Sequence, residues 1–386
     1  MEKVKEFDLE WFNSAKKELG EKPIELKNTK YKYIKRGGTK GDIYTKEILD
    51  KILDHGCLDH RPRPHYEDRY EKNRVKYNEN TGIITLESGK EIELCEKDKV
   101  IVTNKEIVVH SPAHSLSINN EFQCSYDLSK GESPMITLRP IATRVSIAEI
   151  IWIYLMKSND LVDFDKLLGK DTWDKDYTIH NWWLDWAIVD SNGKYILNRK
   201  GHPHIGNTYG ETIRIRDMFN KEVIEVLKKD PDNRRIICSL WQIDDYKKPH
   251  GLKPCAFQTI WNVRHGRDGI DYLDMCLVQR SSDFCTAGCI NQVQYASLLL
   301  MVAREVGLVP GVFTWKPANV QIYDRHIEQA IEIINRPPVN CDASIKLNKN
   351  VKTLKDVTPD SISVLSEKDK QKIKTKNPQL RFQLGI

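Results

Sequence analysis

The stretch "LKPCAFQTIWNVRHGRDGIDYLDMCLVQ", residues 252–279, limits the fold more than any other part of this chain. β-Branched and aromatic residues run through "AFQTIWNV", a glycine-bearing turn "RHGRDG" follows, and "IDYLDMCLVQ" returns, which predicts two long strands of one hairpin. A further strand is expected from "RRIICSLW". Helical spacing appears in "YTKEILDKILDHG", "TRVSIAEIIWIYLMKSND", "QVQYASLLLMVAREVG" and "QIYDRHIEQAIEII". Strands and helices alternate irregularly, so the fold class is α+β, a large mixed or antiparallel β-sheet with helices packed around it.

Residues 1–40 are charged and end in the turn-rich "KRGGTKGD", the pattern of an N-terminal extension. Residues 41–386 read as one domain, interrupted at about 71–109 by a β-rich insertion in which β-branched and charged residues alternate. The 386-residue chain is 40% hydrophobic and 30% charged, and its longest apolar runs are too short to span a bilayer. Its N-terminal residues do not resemble a secretory signal, so a cytoplasmic location and no membrane partner are expected. The nine cysteines show no regular framework and read as free thiols. Cys285 and Cys289 lack a second ligand pair, so no metal is expected there. The net charge of +5 is spread out, which suits a small anion held by a few arginines and requires no nucleic acid.

Cys255, behind a proline at the head of a strand, is the candidate nucleophile. A thiol attacks as thiolate, and Arg280, Arg234 and Arg235 are the cations that could stabilise one. Arg280 followed by Ser281 offers a forked donor and a hydroxyl to one phosphate. Asn291 can donate and accept at an amide edge. Glu149 sits in an apolar helix, where an ionised carboxylate is costly unless it is paired or functional. Each residue alone also has an ordinary structural explanation; their order along the chain is what adds weight.

The ordered segments "EIIWIYLMKSND", "GNTYGE", "DPDNRRIICSLW", "LKPCAFQTIWNV", "QRSSDFCTAGCINQVQYASLL", "NVQIYDRHIEQA" and the terminal "NPQLRFQLGI" resemble the thymidylate synthase family. "SPAHSLSINNEF" is similar to the Gram-positive branch of that family, which carries a PAHTLS-type segment. The resemblance implies a methyltransferase acting on deoxyuridine monophosphate (dUMP), with 5,10-methylenetetrahydrofolate as co-substrate and no metal. It implies that Cys255 attacks carbon 6, that Glu149 works through ordered water and that Tyr209 assists loss of the carbon 5 proton. Arg280, Ser281 and Arg63, with Arg61 as competitor, would hold the phosphate, as would Arg234 and Arg235 from the neighbouring subunit of a homodimer. Asn291 would read the uracil, Gln321 and Tyr323 the sugar, Asp283 the pterin and Trp183 the folate wall. The tail ending at Ile386 would close the site. The alternatives are a deoxypyrimidine monophosphate 5-hydroxymethylase, for dUMP rather than dCMP because Asn291 is an amide, and a catalytically idle nucleotide-binding homologue.

Overall fold

Strands Ala256–His265 and Asp271–Gln279 form the expected hairpin, in antiparallel register from His265↔Asp271 to Ala256↔Gln279, with a bulge between Ala256 and Gln258. The computed structural model describes residues 4–33, 37–62, 64–170 and 181–385. The hairpin lies inside a five-stranded sheet, ordered Cys124–Asp127, Val309–Pro317, Asp271–Gln279, Ala256–His265, Ile236–Ser239. All neighbours are antiparallel except Asp271–Gln279 with Val309–Pro317, which run parallel. The sheet is therefore mixed, as the irregular alternation of elements predicts.

Period-two patterning fixes which face is covered. Leu273, Met275, Leu277, Phe313, Trp315, Thr259 and Trp261 are buried on the inner face. Helix Cys289–Val306, apolar on nearly every side, packs there and against helix Thr143–Ile150. It ends at Gly307, whose φ of 77° is a left-handed cap that a side chain would strain. On the other face Ile260, Cys276 and Thr314 are only half covered, and Ile237 is 37% exposed.

Two elements differ from expectation. "QIYDRHIEQAIEII" is not one helix: Asn319–Tyr323 is a strand, paired with Ser115–Asn119 and Ser282–Asp283, and the helix begins only at Ile327. Within Asn319–Tyr323 β-branched and aromatic residues favour the strand, and the sheet edge offered by Ser115–Asn119 outweighs the helical spacing. The helix carrying Glu149 widens into a π turn over Ile151–Leu155 instead of continuing as a regular helix.

The β ladder in the segment expected at about 71–109 starts earlier, at His65. His65–Glu71 pairs with Glu106–Pro112, which pairs with Lys99–Val102, and Val75–Asn78, Ile83–Leu86 and Glu91–Glu93 make a second three-stranded sheet. Near the N-terminus, strands Val4–Glu6 and Lys30–Lys32 and helix Leu9–Glu18 bury Phe7, Phe12 and Tyr31 in the main core, and Lys16 reaches buried Asp324 at 2.6 Å. Among the described residues no helix is long and apolar enough to cross a membrane.

Candidate active site

Cys255 is half-buried at the mouth of the hairpin, and three contacts hold it. Its backbone N–H donates to the Tyr209 hydroxyl at 2.9 Å. Its carbonyl accepts the Arg280 N–H at 2.9 Å, a consequence of the strand pairing that sets residue 280 across from it. The guanidinium of Arg280 reaches Sγ at 3.5 Å while Nε and Nη2 donate to the carbonyls of Pro254 and Lys253 at 3.0 and 2.9 Å. Burial pushes the Cys255 thiol up, and Arg280 followed by Tyr209 pulls it back, leaving it above its ordinary value.

Tyr209 is placed by strain. It precedes helix Gly210–Arg216 with φ 47° and ψ −112°, a conformation that costs a non-glycine residue about 1–3 kcal/mol. The following residue must be glycine, since a Cβ on Gly210 would lie 2.1 Å from the Ser158 carbonyl oxygen. The Tyr209 ring packs edge-on against Trp183 at 5.1 Å.

Glu149 is buried and accepts from Trp182 Nε1 at 3.0 Å. Burial raises its carboxyl, while Trp182, Gln294 and Trp183 favour the ionised form. Gln294 Nε2 and Trp183 Nε1 lie near it without a full hydrogen bond to any described residue. Trp183 is fully buried and Trp182 41% exposed, so the tandem tryptophans split between wall and carboxylate partner.

A row of amides ends at this carboxylate. The Trp315 indole, which can only donate, fixes Gln279 Oε1 at 2.8 Å; Gln279 Nε2 then donates to Asn291 Oδ1 at 3.0 Å. Asn291 Nδ2 in turn donates to Gln294 Oε1 at 2.9 Å, which leaves the Gln294 N–H₂ group for Glu149. Asn291 and Glu149 thus lie on one chain of contacts through Gln294; Gln279 and Gln294 fall inside the quoted segment "QRSSDFCTAGCINQVQYASLL" without having been singled out, and Trp315 lies outside every quoted segment.

Asp283 is half-buried, yet its carboxylate is shielded. Oδ2 accepts from Thr286, and Oδ1 has no hydrogen bond among the described residues, with His326 Nδ1 at 4.0 Å. Burial raises this carboxyl, and His326 opposes it. Tyr323 is buried, and its phenol is raised by burial, then by Asp283 and Cys255, while Gln321 beside it favours the phenolate. Ser281 follows Arg280 at the strand end, half-buried. The tail comes in over this group: a Cβ on Gly385 would lie 3.2 Å from the Tyr323 ring, and Gln383 bonds Arg325, Asp68, Glu67 and His326.

The chain therefore brings Cys255, Tyr209, Arg280, Glu149, Asn291, Trp183, Asp283 and Tyr323 into one connected group. Arg234 and Arg235 stand apart from it. Extending the register Ile236↔Trp261 puts Arg235 opposite Asn262, about 23 Å along the strand from Cys255, and both arginines are exposed. Arg61 is exposed, its N–H on Asp59. Arg63 and Ile386 lie outside the described residues.

A family model described as thymidylate synthase matches residues 100–377. The thymidylate synthases of Streptococcus pneumoniae (strain 70585) and Streptococcus gordonii (strain Challis) are 33% and 34% identical over 349 residues, 90% of this chain and 100% of each relative. Among solved structures, thermostable thymidylate synthase A from Bacillus subtilis matches with a TM-score of 0.61 at 22% identity, covering 90% of this chain and 99% of that one, a likeness of fold.

Proposed function

This chain belongs to the thymidylate synthase family, and from that membership we propose how its residues divide the reaction. The protein is a methyltransferase that converts dUMP to thymidine monophosphate. The co-substrate 5,10-methylenetetrahydrofolate supplies the carbon and the hydride.

Cys255 Sγ adds to carbon 6 of the uracil, and the displaced π electrons move to carbon 5, which forms the new carbon bond. Arg280, 3.5 Å from Sγ, stabilises the thiolate and with Ser281 takes the phosphate. Asn291, its amide orientation set from Trp315, holds the uracil edge, and Gln321 and Tyr323 meet the sugar. Glu149 handles protons through ordered water; the phenol of Tyr209, raised by burial, assists departure of the carbon 5 proton. Loss of that proton breaks the bond to the folate nitrogen and leaves an exocyclic methylene on carbon 5; hydride from the tetrahydrofolate adds to that methylene, the double bond returns to the ring as the Cys255 sulfur is expelled, and dihydrofolate is left.

The folate fits the residues present. A pterin presents N–H donors, and one oxygen of the shielded Asp283 carboxylate accepts no hydrogen bond among the described residues. Trp183 walls the same side, and the tail, ending at Ile386, excludes water.

The functional unit is a homodimer. Arg234 and Arg235 are too far from their own Cys255 to share its phosphate, because an arginine side chain bridges only a fraction of about 23 Å. The half-covered sheet face around Ile237, Ile260 and Cys276 suits a second copy, which would bring these arginines to the neighbouring site. Nine free cysteines fit a reducing cytoplasm.

The contact between Arg280 and Cys255 carries this reading. Mixing the protein with dUMP and methylenetetrahydrofolate tests it: thymidine monophosphate appears in step with dihydrofolate. A hydroxymethylated nucleotide without dihydrofolate, or no product, contradicts it.

A further inference from the structure

The two strands at the base of the insertion carry a group of side chains that the methyl transfer does not use. The register Glu67↔His110 and His65↔Pro112 puts His65, Glu67 and His110 on one face of the ladder. Glu67 Oε1 lies 3.2 Å from His110 Nε2 and 3.9 Å from His65 Nε2, and the two imidazole centroids are 4.2 Å apart. All three ligand atoms fall within 4.8 Å of one another, and all three residues are half-buried. Arg69 holds the other carboxylate oxygen, Oε2, at 2.8 and 3.2 Å, so Oε1 is turned toward the imidazoles.

We propose that His65, Glu67 and His110 form a binding site for a borderline divalent cation of the zinc type. Ligands about 2.0–2.1 Å from a tetrahedral ion stand roughly 3.3 Å from each other, close to the separations already present. Two imidazoles and one carboxylate select zinc, nickel or cobalt over magnesium or calcium, which prefer oxygen. Arg69 acts from outside the ligand set, fixing the carboxylate as carboxylates and carbonyls elsewhere fix ligating histidines. Lys99, across the ladder from His110, adds an opposing positive charge; Glu106, bonded to Arg69 at 2.7 Å, adds a negative one. Water fills the fourth position of the ion.

The cation clamps strand His65–Glu71, to which the tail is tied, onto its neighbour Glu106–Pro112. Gln383 Nε2 donates to the Glu67 carbonyl at 3.0 Å and to Asp68 Oδ1 at 3.1 Å, and Arg325 bonds both Asp68 and Gln383. The insertion thereby supports the segment that covers the active site, and the ion tightens that support.

The test is equilibrium dialysis of chelator-treated protein against zinc, with metal counted per chain, alongside thermal melting with and without zinc. The wild type takes up one equivalent that His65→Ala and His110→Ala each lose, and zinc raises the melting temperature of the wild type alone. Arg69→Ala retains the site at about 10–100-fold weaker affinity. Circular dichroism identifies a variant that fails to fold; His65→Ala and His110→Ala are independent, and Arg69→Ala leaves all three ligand residues in place. Cobalt in place of zinc gives a spectrum free of sulfur charge-transfer bands. Absence of uptake by the wild type, equal uptake by all variants, or cobalt bands of thiolate origin overturns the proposal.

Discussion

The hydroxyl of Tyr209 accepts the backbone N–H of Cys255 at 2.9 Å, so the phenol assigned to proton removal also fixes the position of the nucleophile. Tyr209→Phe removes both functions and leaves the half-buried Cys255 N–H unpaired. The expected result is a loss of about 1–3 kcal/mol in unfolding free energy and a fall in kcat of roughly 10²–10⁴. Denaturant unfolding and steady-state kinetics measure the two separately.

Glu149 gives a pH prediction. Burial raises its carboxyl above the ordinary value in the folded chain, so the folded state binds this proton more tightly than the unfolded state. Stability from this group is present at low pH and is lost as pH rises from the ordinary carboxylate value through the raised one. Glu149→Gln removes that loss. The variant therefore melts at or above the wild type at pH 8, with the difference shrinking toward pH 4, while its kcat falls. A variant that melts lower at pH 8 would show that the ionised carboxylate is stabilising.

Arg280 is predicted to set the reactivity of Cys255. Because burial dominates, alkylation of Cys255 should speed up only at a pH above that of an ordinary cysteine. Arg280→Ala moves the profile higher still; Arg280→Lys keeps the charge but loses the fork that grips the carbonyls of Pro254 and Lys253. The pH dependence of adduct formation at Cys255, followed by peptide mass, distinguishes the variants.

The shared-site reading predicts complementation. Arg235→Ala and Cys255→Ala are each inactive alone, and subunit exchange between them creates heterodimers with one intact site. Random mixing restores about a quarter of wild-type activity. Zero recovery after demonstrated exchange would put Arg235 in the same site as its own Cys255.

How far these features could be read from the sequence depends on what fixes each one. The hairpin around Cys255 was legible because period-two patterning and the turn between His265 and Asp271 are local signals. Strand Asn319–Tyr323 was not, since the edge supplied by Ser115–Asn119 is some 200 residues away in sequence and local spacing favours a helix. Cys255, Arg280 and Glu149 stood out by chemistry and order. Gln294 and Gln279 did not, because an amide's role is decided by which neighbours donate to it, and Trp315 supplies that only after folding. The cluster of His65, Glu67 and His110 depends on the register between His65–Glu71 and Glu106–Pro112, which periodicity alone leaves open.

The central claim, that Cys255 is the nucleophile, has a direct measurement. A fluorine at carbon 5 of dUMP cannot leave as the proton does, so the covalent complex accumulates. Intact-protein mass after incubation with 5-fluoro-dUMP and methylenetetrahydrofolate should rise by nucleotide plus folate, with the adduct on the peptide containing Cys255 and absent from Cys255→Ser. An adduct on another residue, or none in an otherwise active protein, would contradict the account.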